Sequence, residues 1–274
     1  TVARRGQVDL IGEFAEPLSL RAACDFLGWP ENVWSDLQGW MHGNQETALS
    51  RDRGAAKRAA EEVAQFVNEA IATRQERASD PGDITSQLMA TEVEGQALSS
   101  DDIVSILRNW IAGHGTVAAG LGILVFHLAS DQTLQRRLRH DPTLVAAAVD
   151  EILRVDGPLV ANRRTTASPV EIGGRHIGEG EKLTLMWIAA DRDERVFANP
   201  DRIELDRNEQ DNLLFGAGIH DCLGAPLARL ELRVAVEELL AHTSAIELDR
   251  AAAPIRSVYP SNGFSTLPVH LVSA

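Results

Sequence analysis

Apolar residues recur at helical spacing along most of this chain, which predicts a mainly helical protein. Proline, glycine and short polar residues at the ends of these stretches are typical helix starts and stops. Pro17 interrupts the first stretch, which we therefore predict to be a pair of helices. The predicted helical segments are residues 7–28, 34–41, 54–77, 84–89, 99–129, 131–139, 142–155, 189–197 and 225–242.

The segment 99–129 is the longest of these helices, and its part from Trp110 to Ala129 is nearly free of charge. Its length and composition would suit a membrane span. However, it contains His114, Thr116, His127 and four glycines. A helix that is apolar on most faces is also typical of the centre of a large domain, so we predict a buried core helix.

Short β-strands are predicted in two regions, because the helical spacing gives way to alternation there. Residues 159–188 alternate between apolar and polar positions and contain Gly-rich turns, which indicates hairpins. Residues 198–214 form an irregular, Asp- and Asn-rich meander, and two short strands follow near 246–248 and 267–271. The fold class expected is mainly α with a minor β portion, in a single domain over residues 1–274.

Composition restricts the class of protein further. Apolar residues make up 44% of the chain and the net charge is −14, which is typical of a globular protein and argues against nucleic acid or an anionic membrane as a main partner. The two cysteines, Cys24 and Cys222, provide no disulfide framework, so we expect a reducing compartment such as the cytoplasm.

The stretch from Phe215 to Gly224 is the strongest candidate for chemistry. It places three glycines around Cys222, and a helix with Pro226 in its first turn follows. A thiolate at the start of a helix is stabilised by the helix dipole and by free amide donors. A structural cysteine in a Gly-rich turn or a Cys-His hydrolase using His220 would fit these few residues too, whereas a zinc site needs about four ligands.

The whole string Phe-Gly-x-Gly-x-His-x-Cys-x-Gly resembles the haem-binding loop of cytochrome P450, with every signature position matched. The resemblance implies a P450-like fold that binds haem b, iron protoporphyrin IX. It implies that Cys222 is the axial thiolate ligand, that Phe215 shields the sulfur and that His220 pairs with a haem propionate. The loop residues that it assigns to cofactor binding also include Gly216, Gly218 and Gly224.

Three further residues match the family's buried Glu-x-x-Arg triad. Glu151 and Arg154 lie three positions apart on a predicted helix, and alone they would indicate only a surface ion pair. With Arg202, which precedes the Cys222 loop, they resemble the triad that holds the meander in place. The implied role is structural, and loss of one buried partner would cost about 3–5 kcal/mol. Arg164 matches the arginine that contacts a haem propionate.

The central helix resembles the family segment that crosses the oxygen-binding face of the haem. That segment reads Ala-Gly-x-acid-Thr, and here it comprises Ala112, Gly113, His114, Gly115 and Thr116. The resemblance implies that Thr116 hydrogen-bonds dioxygen, while Gly115 replaces the acidic residue that relays protons. His114 could supply them instead, although its spacing from Thr116 favours a core or substrate-contact role.

The resemblance implies a monooxygenase that hydroxylates or dealkylates a small organic substrate, with electrons from a separate ferredoxin and ferredoxin reductase. Gly115 leaves a peroxide-driven oxygenator as an alternative. The family's first helices and sheet are missing from the matched region and the chain does not begin with Met, so we expect a fragment or a shortened relative. A haem-binding module without activity is therefore a further alternative. Trp34, Leu37, Trp40 and Met41 form a stripe at helical spacing that indicates core packing, whereas the resemblance implies that this region forms the roof of the substrate pocket.

Overall fold

A computed structural model describes residues 5–50, 52–76, 82–208 and 210–274 of the chain. The α-helices, in chain order, are α1 (Glu16–Leu27), α2 (Trp34–Ser50), α3 (Arg53–Glu76), α4 (Ile84–Met89), α5 (Ser100–Ser130), α6 (Gln132–His140), α7 (Val145–Val155), α8 (Trp187–Ala190) and α9 (Ala225–His242), and a π-helix (Ile11–Ala15) and three short 3-10 helices (Glu31–Val33, Pro142–Leu144 and Gly218–His220) complete the helical segments described. The strands are β1 (Gln7–Asp9), β2 (Glu92–Val93), β3 (Gln96–Ala97), β4 (Ala161–Thr165), β5 (Val170–Ile172), β6 (Arg175–Ile177), β7 (Lys182–Met186), β8 (Thr243–Leu248), β9 (Ile255–Arg256), β10 (Phe264–Thr266) and β11 (Pro268–Ser273).

The chain forms two compact units, and each is described by itself. One unit comprises residues 12–118, and the other combines residues 1–11 with 119–274. The expected single domain stays a prediction.

The unit of residues 12–118 is helical around an apolar core to which Leu27, Trp29 and Leu107 belong. Helix α1 has Pro17 in its first turn and ends at Gly28, whose φ of 70° is left-handed. A Cβ at Gly28 would lie 2.3 Å from the Cβ of Asp83, so both the backbone and the packing require glycine there. In the core, the indole of Trp29 donates a 3.1 Å hydrogen bond to the hydroxyl of Thr85.

The second unit packs helices and small antiparallel sheets together. Strands β1, β11 and β8 form a three-stranded sheet, while β4 pairs with β7, β5 with β6, and β9 with β10. Helix α9 buries Leu232, Val236 and Leu239, and the three-stranded sheet buries Ile246 and Val269. These apolar faces form the core from which the loop before α9 projects.

Two predicted helices differ from the structure. Residues 11–15 form a π-helix that continues directly into α1, so Pro17 does not interrupt the helical stretch. Residues 7–9 form β1 because they pair with β11, with Val8 opposite Val269, a contact that no local pattern encodes. The predicted helix 189–197 shrinks to α8, since the carboxylate of Asp193 accepts a hydrogen bond from the backbone N–H of Arg195 and stabilises turns instead.

The other predicted helices exist, most with shifts of a few residues at their ends, whereas the helix predicted over 34–41 continues to Ser50. Helix α9 has the predicted bounds, and α5 begins and ends one residue later than predicted. The predicted end of α3 at Arg77 lies outside the described residues. The mainly α fold with a minor β portion is confirmed.

Helix α5 is, among the described residues, the one helix that is long and apolar enough to cross a membrane. Of the residues in its most apolar stretch, 56% are buried within the protein. Core residues such as Leu121, Ile123 and Leu124 are almost fully buried. This burial supports the predicted core helix.

Candidate functional site

The loop before α9 is a series of tight backbone turns that end at Cys222. Gly216 donates its N–H to the carbonyl of Leu213 at 2.9 Å, and Cys222 donates its N–H to the carbonyl of Phe215 at 2.9 Å. Gly216 and Gly218 have φ values of 86° and 67°, which side-chain-bearing residues rarely adopt. The carbonyl of Cys222 then accepts from Ala225, the first residue of α9. The glycine spacing noted in the sequence therefore serves to close this loop.

Cys222 presents its thiol at an exposed position of this loop. The apolar side chains of Ile219 and Leu223 flank it and are 97% and 88% exposed. A Cβ at Gly216 would approach the carbonyl oxygen of His220 to 3.1 Å, so the loop must stay free of a side chain there. An exposed sulfur donor between bare apolar side chains fits a flat, largely apolar, sulfur-ligated group such as haem.

Phe215 is held against a cation. The guanidinium of Arg229, in α9, lies 4.5 Å from the centre of the Phe215 ring, and it also bonds the buried carboxylate of Asp150 at 2.9 Å. This stack fixes the first residue of the loop on α7 and α9. Arg229 and Asp150 were not singled out in the sequence, since charged residues on amphipathic helices give no such signal.

A buried charge network holds the meander that leads into the loop. Glu151 accepts from Arg154 Nε at 2.7 Å and from Arg154 Nη2 at 2.9 Å. Its Oε1 also accepts from Arg207 Nε at 2.9 Å and from the backbone N–H of Glu204 at 3.0 Å. Burial tends to raise the pKa of the Glu151 carboxyl, but these hydrogen bonds lower it below its usual value.

The third member of this triad is therefore Arg207, and the assignment to Arg202 is corrected. The side chain of Arg202 is exposed, and its backbone carbonyl accepts from Arg154 at 3.2 Å. Arg207 has only 10% of its side chain exposed and additionally bonds Glu204. The turn of the meander at Glu204 brings the later arginine, not the earlier one, to the Glu151 carboxylate.

Asp191 is a further buried carboxylate beside this network that the sequence analysis did not identify. Its Oδ1 accepts from the backbone N–H of Leu213 at 2.7 Å, and its backbone carbonyl accepts from Arg154 Nη1 at 2.6 Å. Burial raises the pKa of the Asp191 carboxyl to about 6, against the lowering effects of the Leu213 N–H and the Arg154 charge.

Arg164 lies in β4, which pairs with β7, and it is half-buried, whereas its neighbour Arg163 is exposed. Its Nη1 donates to the carbonyl of Arg163 at 2.9 Å. The two arginines alternate in exposure as expected for a strand. The contact of Arg164 with a propionate stays a prediction.

In the unit of residues 12–118, Ala112, Gly113 and Thr116 share one exposed strip of α5. The hydroxyl of Thr116 donates to the carbonyl of Gly113 at 2.6 Å. A Cβ at Gly113 would meet no atom within 4 Å, while one at Gly115 would lie 3.2 Å from the Met41 side chain. The strip of α5 beside Thr116 is thus open.

His114 points away from this strip. It is 3% exposed, its Nδ1 lies 2.8 Å from the carbonyl of Trp110, and its own carbonyl accepts from the hydroxyl of Ser19. The hypothesis that His114 supplies protons stays a prediction. The burial supports the core role that its spacing from Thr116 favoured.

The four residues of the predicted stripe on α2 (Trp34, Leu37, Trp40 and Met41) lie partly in the core and partly at the surface. Leu37 and Met41 are buried in the core of the unit. Trp40, whose indole donates to the carbonyl of Ala59 at 2.8 Å, lines an open cleft of about 280 Å³ between α2 and α3. Phe66 lies on the opposite wall of the cleft.

Comparison with known proteins agrees with the geometry of the loop. Residues 41–257 match the family model described as Cytochrome P450. The cyclomarin C epoxidase CymV of Salinispora arenicola is 32% identical, over 90% of this chain and 64% of its own. Cytochrome P450 107B1 of Saccharopolyspora erythraea is 35% identical, over 92% of this chain and 61% of its own. The linalool 8-monooxygenase of Pseudomonas putida is 30% identical, over 97% and 66%.

Solved structures give the same result. A mutant of P450 EryK in complex with erythromycin B superposes with a TM-score of 0.90 at 28% identity, covering 98% of this chain and 71% of that one. CalO2 superposes with a TM-score of 0.88 at 30% identity, over 99% and 69%. The chain thus spans about two thirds of the length of these proteins. Its fold, its loop sequence and these matches together show that it belongs to the cytochrome P450 family.

Proposed function

We propose that this chain binds haem b through Cys222 and acts as a monooxygenase that inserts one oxygen atom of O2 into a small organic substrate by hydroxylation or dealkylation. The observation that carries the proposal is the exposed thiol of Cys222, held by backbone hydrogen bonds in a loop with positive-φ glycines. Haem iron with an axial thiolate, when bound, supplies the activation of dioxygen.

Four side chains would hold the haem. Cys222 would provide the thiolate, His220 and Arg164 would pair with the propionates, and Phe215 would shield the sulfur. The described structure supports these roles locally, since the first three side chains are exposed or half-buried and thus accessible to a ligand. Phe215 is immobilised by the Arg229 stack.

The protein's own contribution is to fix the sulfur and to control protons and water. The Glu151–Arg154–Arg207 network holds the meander, and the meander ends in the turn that begins the Cys222 loop. Helix α9, whose N-terminal end carries a partial positive charge, begins three residues beyond Cys222.

Proton delivery would rely on Thr116. Its hydroxyl already donates to Gly113 and would have to turn toward a ligand in the open strip of α5. Because position 115 carries no carboxylate and His114 is buried, protons would reach Thr116 through water or through a polar substrate.

This same feature favours a second candidate function. An oxygenator driven by hydrogen peroxide needs no delivery of two protons to dioxygen, since peroxide already carries them. Gly115, where the family has an acidic residue, is the observation that supports this alternative.

The relatives suggest the substrate class. Their names include a linalool 8-monooxygenase, a methyl-branched lipid omega-hydroxylase and a steroid C26-monooxygenase, so we propose a small, largely apolar organic substrate. Electrons would come from a ferredoxin and its reductase, and the protein would work in the cytoplasm.

Isotope labelling tests the proposal and separates the candidates. The haem-loaded chain would be incubated with linalool, a methyl-branched fatty acid and a steroid, first with NADPH, ferredoxin and reductase under ¹⁸O₂, then with hydrogen peroxide. We expect ¹⁸O in a hydroxylated product of the first reaction. Product formed with peroxide alone would favour the second candidate, and haem binding without product from any donor would contradict both enzymatic functions.

A further inference from the structure

Asp191 connects the buried triad with the segment just before the Cys222 loop. It follows α8, is only 2% exposed, and receives the backbone N–H of Leu213 on its Oδ1 at 2.7 Å. Its own carbonyl is held by Arg154, a member of the buried triad, at 2.6 Å. One residue thus bridges the triad and the segment just before the Cys222 loop.

Leu213 lies two residues before the Cys222 loop, which begins at Phe215. The carbonyl of Leu213 accepts the N–H of Gly216 at 2.9 Å, which closes the turn that leads into the loop. The next link is the carbonyl of Phe215, which accepts the N–H of Cys222 at 2.9 Å. The Asp191 side chain therefore holds the backbone N–H of Leu213, and the carbonyl of the same residue forms the first of the turns that lead to Cys222.

We propose that Asp191 is a positioning residue for the Cys222 loop, acting through its hydrogen bond to the backbone of Leu213. The inference rests on the proposed role of Cys222 as a haem ligand. In this role Asp191 acts on the backbone that leads into the loop, at Leu213, and not on the reacting atoms.

The surroundings of Asp191 indicate that its main role is to accept a hydrogen bond and that its negative charge matters less. Arg154 is the cation that acts on it, and that guanidinium is already shared with Glu151. The charged neighbours in its own segment are paired elsewhere, Arg192 with Asp201 and Asp193 with Arg195. Because burial opposes ionisation, a neutral acceptor of the same shape should keep the bond to Leu213.

This predicts opposite results for two substitutions that keep a side chain branched at Cγ. Asp191→Asn keeps an oxygen for the Leu213 N–H, whereas Asp191→Leu removes it and leaves that half-buried amide without its acceptor. Loss of such an acceptor should lower the protection of the Leu213 amide against hydrogen exchange by roughly tenfold or more. Asp201→Asn, on an exposed carboxylate of the same meander, is the matched control.

Hydrogen exchange on the haem-free chain, resolved to the Leu213 amide by mass spectrometry with overlapping fragments, measures this bond directly. We expect the loss in Asp191→Leu alone, with the amides of α9 unchanged in all variants. Unchanged protection of Leu213 in Asp191→Leu would overturn the proposal. So would an equal loss of protection throughout α9, because it would indicate general destabilisation.

The ferrous–carbon monoxide spectrum of the haem-loaded variants then tests positioning of the sulfur. We expect Asp191→Leu to give a smaller fraction of the thiolate-type Soret band than the wild type, and Asp191→Asn to restore it. A full thiolate band in Asp191→Leu, despite an unprotected Leu213 amide, would overturn the positioning role. If the wild type itself lacks the band, the proposed function fails, and exchange alone decides whether Asp191 holds the loop.

Discussion

Replacement of Arg207 by alanine tests the corrected triad. In the wild type, Arg207 bonds Glu151 at 2.9 Å, Glu204 at 3.0 Å and the carbonyl of Ala198 at 2.8 Å, with 10% of its side chain exposed. The substitution removes these bonds, together with longer ones to the carbonyls of Asn199 and Arg202, and leaves Arg154 as the cation bonded to the buried Glu151. Arg202→Ala is the matched control, because that side chain is exposed and only its backbone carbonyl takes part.

The expected loss in the free energy of unfolding depends on how many hydrogen bonds Glu151 keeps in Arg207→Ala. Complete loss of the partner of a buried charge costs about 3–5 kcal/mol. Glu151 keeps both hydrogen bonds from Arg154 and the one from the N–H of Glu204, so we expect Arg207→Ala to cost about 2–3 kcal/mol. Arg202→Ala should stay within about 0.5 kcal/mol, as exposed substitutions usually do.

Thermal unfolding followed by circular dichroism measures both variants against the wild type. For a protein of this size, 1 kcal/mol corresponds to about 2–4 °C, so Arg207→Ala should lower Tm by about 5–10 °C and Arg202→Ala by less than about 2 °C. A larger loss in Arg202→Ala than in Arg207→Ala would refute the corrected triad. Equal, small losses would refute the inference that the network holds the meander.

Three further predictions concern the loop and its neighbours. Gly216→Ala should destabilise the protein by about 1–2 kcal/mol and weaken haem binding, because φ is 86° and the new Cβ would lie 3.1 Å from the His220 carbonyl oxygen. Thermal unfolding measures the loss of stability, and haem titration measures the loss of affinity. The pKa of Asp191 rises from 3.8 to about 6 on folding, so ionisation of this carboxyl opposes folding. Asp191→Asn should therefore have a free energy of unfolding about 1–2 kcal/mol higher than the wild type above pH 6 and the same as the wild type below pH 4, as measured by urea unfolding. In the haem-free native chain, a thiol reagent should label the exposed Cys222 within minutes, whereas Cys24, buried and with its pKa raised to about 11, should react only on unfolding; rapid labelling of both or of neither would contradict the structure.

The sequence predicts best those elements that carry their own signals. Helix α9 was predicted with its observed bounds, because Pro226 marks its first turn and apolar residues follow at helical spacing. The Cys222 loop was predicted because glycines at fixed positions are needed for its positive-φ turns.

Features that depend on distant partners could not be predicted. Strand β1 contains a single buried apolar residue, Val8, and exists through its pairing with β11, some 260 residues later in the chain. Arg202 and Arg207 are equivalent by composition, and only the turn of the meander at Glu204 decides which one reaches Glu151. Asp191 follows a short helix, and its burial gives no local signal.

The central claim, that Cys222 is the thiolate ligand of haem, is tested most directly by the ferrous–carbon monoxide absorption spectrum of the haem-loaded chain. Cys222→Ala removes the proposed ligand, and Cys24→Ala removes the other cysteine as a matched control. The account predicts a thiolate-type Soret band in the wild type and in Cys24→Ala, and its loss in Cys222→Ala. A wild-type spectrum from Cys222→Ala, or a histidine-type band in the wild type, would contradict it.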